Sequence, residues 1–210
     1  MSSDNSDLKG YIVDVLAAFV LGLGTIAGAF AAYQSTLWDG LCAQKYNQAA
    51  IASSHASGQF LFGVQAIMLD GILFMEEKTQ RSLGTALAQP SRVELANYWR
   101  DRVMSPELKT AMAWAEQHDT IFSENDTYLN GRIEGAVALS TEAENAIADG
   151  QRADDNGDGF TLCTVFFTVV LFFAGMASVM RRFPLKVFFL GMGSAMLGLS
   201  LVRLILLPFA

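Results

Sequence analysis

The stretch FTLCTVFFTVVLFFAGMASVMRRFPLKVFFLGMGSAMLGLSLVRLILLPFA, residues 160–210, decides the fold. Phe160 to Met180 carries no charge, Arg181, Arg182 and Lys186 then fall within six residues, and Val187 to Ala210 is apolar except for Arg203. Each apolar run reaches the ~20 residues that a helix needs to cross a bilayer. A helix is the form expected, because backbone amides in hydrocarbon must find partners within their own segment. Two spans joined by a short basic loop is therefore the reading.

Working outward, Val15 to Trp38 is a third uncharged run. Ala29-Phe30-Ala31 has the look of a secretory cleavage site, but the leader MSSDNSDLKG carries one lysine against two aspartates and the run is long, so an uncleaved anchor is expected. A fourth apolar stretch, Phe60 to Met75, is shorter and holds Gln65 and Asp70, which fits a buried or interfacial helix better than a span. The hydrophobic share of 52% over 210 residues exceeds that of an ordinary water-soluble domain.

The basic loop orients the chain, since Lys and Arg beside short loops stay in the cytoplasm. The expected map is a cytoplasmic tail (1–10), a first span (11–33), an extracytoplasmic domain (34–156), a second span (157–180), the cytoplasmic loop (181–186) and a third span (187–208). From Asp39 to Asp158 the chain carries 18 Asp plus Glu against 9 Lys plus Arg. That balance is compatible with export and argues against nucleic-acid binding. The segment reads as helical: LCAQKYNQAAIASSHAS is alanine-rich, AVALSTEAENAIADGQRADD is a strong helix former, and Pro90 and Pro106 suit helix starts. Helices rising from the first span, one or two short helices around Ser91 to His118, and a long helix from about Ile133 back to the membrane are expected. The fold class is all-α: an integral membrane protein with three transmembrane helices and a helical extramembrane domain inserted between the first and second.

Helical spacing sorts the spans into faces. Asp14, Ala18, Leu21, Thr25, Gly28 and Ala32 fall along one small, polar stripe of the first span, a candidate for lumen or packing. Gly191, Ser194 and Gly198 form a small stripe on the third, expected to pack against another helix. Tyr33 and Trp38 suit interfacial anchors. Two charges fall inside or at the edge of the membrane. Asp14 lies at the cytoplasmic side, where Lys186 or Arg182 can pair with it. Arg203 lies towards the outer side, where either it reaches the headgroups or it pairs with Asp158.

Several motifs tempt without completing. Gly22-Leu23-Gly24-Thr25-Ile26-Ala27 fits a loose dinucleotide fingerprint but lies in an apolar span, with no strand before it. Asp154, Asn156, Asp158 and Gly159 open a calcium loop whose closing glutamate is replaced by Val165. His55 and His118 lack companions at zinc spacing, and no catalytic motif is present. Cys42 and Cys163 are expected as free thiols. No cofactor and no metal are implied.

Ala32-Tyr33-Gln34 with Trp38 and Gly40, then Asp158, Phe160, Leu162, Thr164-Val165 and Leu171-Phe172-Phe173-Ala174-Gly175, then Val202-Arg203-Leu204, resemble a group of uncharacterised three-span bacterial membrane proteins. The likeness covers the membrane ends and adjoining helices, about half of the chain. In that group tyrosine is commoner at the position of Phe160, and the approach to Asp158 is less glycine-rich. The resemblance implies the three-span topology and residence in a bacterial cytoplasmic (inner) membrane, and it carries no activity. The functional expectation is a non-enzymatic multi-pass membrane protein that forms a homo-oligomer, with a cation path along the axis as its most specific form. The alternative is an accessory or sensor subunit that docks on a larger membrane-protein partner.

Overall fold

The computed structural model describes residues 3–210, with side chains described from Gly10 onward. It is 92% helical, and no strand occurs among the described residues. Five α-helices follow in order: α1 (Ser3–Ala86), α2 (Pro90–Tyr98), α3 (Pro106–His118), α4 (Asp126–Val179) and α5 (Phe183–Leu206). A π-helical turn, Trp99–Val103, extends α2, and a single 3-10 turn, Phe122–Glu124, precedes α4. Three of the helices, α1, α4 and α5, contain stretches long and apolar enough to cross a membrane.

The helix ends follow local chemistry. No proline interrupts α1, so Phe60 to Met75 is part of one continuous helix. The helix stops where Ala88 turns left-handed at φ 52°, and the Gln89 N–H then reaches the Gly84 carbonyl at 2.8 Å. This is the hydrogen-bond pattern in which glycine is the usual turning residue. Pro90 then opens α2. Ser105 caps α3 by accepting from the Leu108 N–H at 3.1 Å, with Pro106 in the first turn. Asn125 Oδ1 accepts from the Tyr128 N–H at 3.1 Å at the start of α4. That start lies seven residues before the expected one, because Asn125 supplies a cap that the reading from Ile133 overlooked. Despite the glycines around Asp158, α4 runs unbroken through Gly157–Gly159.

The chain divides into two compact units. The first comprises the residues up to Asn47 together with Ala146–Ala210; the second is Gln48–Asn145. In the first, α4 presents Phe160, Cys163, Phe167, Val170, Ala174 and Ala177, spaced alternately three and four apart, as a buried seam. Against it lie Val13, Ala17, Val20 and Ala31 of α1 and Leu190, Leu197 and Leu204 of α5. Large residues on one helix meet small ones on the others. A Cβ added at Gly28 would stand 3.3 Å from Phe167 Cβ, and one at Gly24 would stand 3.3 Å from Val170 Cγ1. A Cβ added at Gly193 of α5 would likewise stand 3.4 Å from Phe173 Cβ and from the Ala174 backbone nitrogen of α4. Close helix approach of this kind is how apolar helices gain dispersion contact where burial alone offers little.

In the second unit, Met104, Leu108, Ala111, Met112, Ala115, Phe122 and Tyr128 form a small core, with Ile67 and Phe74 of α1 against it. Gly63 lets α1 meet α4 directly: a Cβ there would overlap the Arg132 carbonyl oxygen.

Candidate functional site

Charged and polar residues gather at several places in each unit. Where α5 begins, Lys186 Nζ forms an ion pair with Asp14 of α1, while the Arg182 side chain is exposed. Arg182 instead occupies the N-cap position of α5, with Pro184 in its first turn.

Around the Trp38 level of α1, the indole N–H donates to the Pro208 carbonyl at 3.1 Å, and the Ala210 N–H donates to Gln34 Oε1 at 3.0 Å. Ser35 Oγ and Thr161 Oγ1 share a hydrogen bond of 2.8 Å, and Phe209 packs between Phe30 and Phe160. Gln34 and Ser35 are buried; the sequence reading names Gln34 only within the resemblance and misses Ser35. Their signal was their spacing from Ala31 on the buried line of α1. Tyr33 is exposed.

Arg203 forms no ion pair with Asp158 among the described residues. Its guanidinium lies 5.9 Å from the Phe166 ring. Register explains the difference: Leu207 rests against Gly159, so Arg203, one turn earlier on an antiparallel helix, falls near Cys163, and its side chain reaches on to Phe166 instead of back to Asp158. Both side chains are exposed.

The two small stripes stay open. Ala18, Thr25 and Ala32 are exposed on α1, beside the line that is buried; Gly28 alone of the expected lumen set packs, on Phe167. Gly191, Ser194 and Gly198 are exposed on α5, whose packing face is instead Leu190, Gly193, Leu197, Ser200 and Leu204. Within the chain, packing therefore falls to the line through Gly193 instead of the Gly191 stripe. Throughout these helices hydroxyls donate to the carbonyl one turn back: Thr25 to Leu21 at 2.8 Å, Thr168 to Thr164 at 3.0 Å, Ser200 to Met196 at 2.7 Å. Each is thereby satisfied without water.

In the second unit two ion-pair networks line the inward face of α1. Asp70, buried, accepts from the Tyr128 phenol and from Arg132 Nη2, both at 2.6 Å, and Arg132 also donates to Ser105 Oγ at 2.8 Å. Burial, reinforced by the Asp70 hydrogen bond, pushes the Tyr128 phenol up to about 12. One turn pair further along, fully buried Glu77 accepts from Arg81 Nε at 2.7 Å and forms an ion pair with Arg100 at 3.3 Å. Arg100 also pairs with Glu116 at 3.0 Å, and Lys78 joins it at 3.4 Å. Burial works against the Glu116 charge, but Arg100 and Lys78 outweigh it and hold this carboxyl below the usual range. A cleft of about 370 Å³ opens beside the first network, lined by Glu107, Thr110, Asn125, Thr127, Tyr128 and Arg132. Beside it Asp70 and Arg132 are paired while Arg132 Nε is buried without a partner, an arrangement that suits holding helices together more than acid–base work on a ligand. Sequence reading missed both networks, although Gly63, Asp70 and Glu77 recur at seven-residue spacing on one helical face.

Cys42 and Cys163 are free. Partial burial of Cys42, with Asp154 and Asp39 nearby, raises its thiol. Among the described residues no group of His, Cys, Asp and Glu is arranged to hold a metal ion. Compared with protein-family models, curated proteins and solved structures, the chain matches none.

Proposed function

We propose that the chain is a non-enzymatic, multi-pass protein of a bacterial cytoplasmic membrane that assembles into a homo-oligomer. Its spans are 11–33, 157–180 and 187–208, with the Arg181–Lys186 loop and N-terminus inside and the acidic helical segment outside. The observation that carries this reading is the pair of open small-residue stripes, Ala18/Thr25/Ala32 and Gly191/Ser194/Gly198, on helices apolar enough to cross a membrane. Small residues on a lipid-facing surface contribute little contact with disordered acyl chains and much more with another helix that can come close. The subunit already uses this device at Gly24, Gly28 and Gly193, and the two further stripes offer it to neighbouring copies.

In its most specific form the assembly surrounds a cation path, with Thr25 on the inner wall and outer acidic residues concentrating cations at the mouth. Mass measurement of the detergent-solubilised protein tests the assembly. A defined multimer is expected, reduced towards one chain by Gly191→Leu with Gly198→Leu. A single chain at all concentrations, or recovery only with a fixed heteromeric partner, overturns it. Liposome flux that falls with Thr25→Leu is the expected mark of the path.

A further inference from the structure

In the second unit α1 turns two carboxylates, Asp70 and Glu77, inward beside Ile67 and Phe74, while the outward face carries Leu61, Phe62, Met68, Leu69, Ile72 and Met75, each leaving 57% to 70% of its surface open. Ordinary water-facing helices place these residue classes the other way round. The charges turned inward are held by partners on other elements, Arg132 and Tyr128 for Asp70, Arg100 for Glu77, so the orientation of the helix is fixed.

The outward residues recur with a seven-residue period: Leu61, Met68 and Met75 on one line, Phe62 and Leu69 beside it, Gln65 and Ile72 between. This is the spacing by which one helix meshes with another over more than a turn. The six apolar side chains expose roughly 700 Å², against ~300–600 Å² for the largest patch on a typical monomer and ~800 Å² per partner in a stable interface. Lipid is a poor match for the whole unit, because its α3 carries Glu107, Lys109 and Glu116 and its α4 carries Glu134 and Glu142. An uncharged stripe without directional polarity is complementary to itself, and copies inserted in one membrane share the same α1 polarity.

We infer that the Leu61–Met75 face of α1 is a self-association seam, where the same residues of a second copy meet about a two-fold axis. This inference deepens the proposed homo-oligomer by giving the segment outside the spans its own contact.

Single cysteines at Met68, Ile72 or Met75, in a chain with Cys42→Ser and Cys163→Ala, test it in native membranes, with Thr110→Cys on α3 as the control face. Mild oxidation is expected to give dimers at least tenfold more abundant at the three stripe positions than at the control. Equal cross-linking everywhere, or none at the stripe, overturns the seam. So does protection of the stripe cysteines from a membrane-impermeant maleimide without any dimer, which is the outcome if lipid covers the face. Met68→Glu with Ile72→Lys alters only exposed side chains and should lower the multimer mass. An unchanged multimer in that variant defeats the seam while leaving span-driven assembly standing. A single chain in the unaltered protein defeats both.

Discussion

The two units solve opposite problems with the same helix. In the first, α1 turns Val13, Ala17, Val20 and Ala31 towards α4 and leaves large apolar residues such as Phe19, Ile26 and Phe30 outside. In the second, the same helix turns Asp70 and Glu77 inward and leaves Leu61, Met68 and Ile72 outside. Exposed apolar side chains in the first unit need no further account if hydrocarbon surrounds them. In the second they coexist with many exposed charges, and hydrocarbon would not tolerate those. The difference teaches that burial within one chain is an incomplete guide to what holds a helix: one unit is held by shape, the other by a small apolar core reinforced with paired charge.

The sharpest way to break this contrast is to remove one key residue from each unit. Phe167→Ala in the first should cost about 3–5 kcal/mol by cavity formation. Glu77→Ala in the second should cost about 2–4 kcal/mol, because Arg81 and Arg100 lose their shared acceptor while remaining partly accessible to water. Chemical unfolding in detergent measures both. Replacing Glu77, Arg81 and Arg100 together by methionine should recover most of the second loss and none of the first. If the triple change is as damaging as Glu77→Ala, the pairing account of the second unit is wrong.

A smaller effect separates packing within the subunit from packing between subunits. Gly193→Leu should destabilise the fold by roughly 1–3 kcal/mol through overpacking against Phe173 and the α4 backbone. Gly191→Leu, two residues away on an open face, should stay within about 0.5 kcal/mol for the isolated chain while reducing multimer mass. Equal losses in unfolding would mean that the two glycines share one environment.

The smallest expected effect concerns pH. A phenol whose folded pKa is raised contributes stability that is fully present below its ordinary value near 10 and is lost as pH rises through about 12. The second unit should therefore weaken across that alkaline window. Tyr128→Phe should cost about 0.5–1.5 kcal/mol at neutral pH and flatten the alkaline loss. Unchanged steepness in Tyr128→Phe would assign the loss to another group.

The three long apolar helices were legible because span length and charge exclusion are local properties of the chain. The line of α1 that packs within the chain runs one position from the lumen-or-packing stripe read from the sequence, since Ala18, Thr25 and Ala32 lie beside Ala17, Gly24 and Ala31. Both lines are small, and only the positions of Phe160 and Phe167 on another helix select between them. The Gly191 and Gly193 lines of α5 differ for the same reason. Asp14 and Lys186 could be matched by depth alone, whereas Arg203 and Asp158 could not, because a shift of one turn between antiparallel helices leaves no local trace. The Asp70 and Glu77 networks were hidden for a related reason: their partners Arg100, Tyr128 and Arg132 lie 23 to 62 residues onward, through several turns whose geometry no periodicity records.

The hydroxyls that reach back to the preceding turn carry a chemical asymmetry. Thr25 spends its single proton on the Leu21 carbonyl, so its oxygen shows the outside only lone pairs. A helix flank decorated in this manner can attract a positive ion or a hydrogen from a visitor, and has none of its own to offer a chloride.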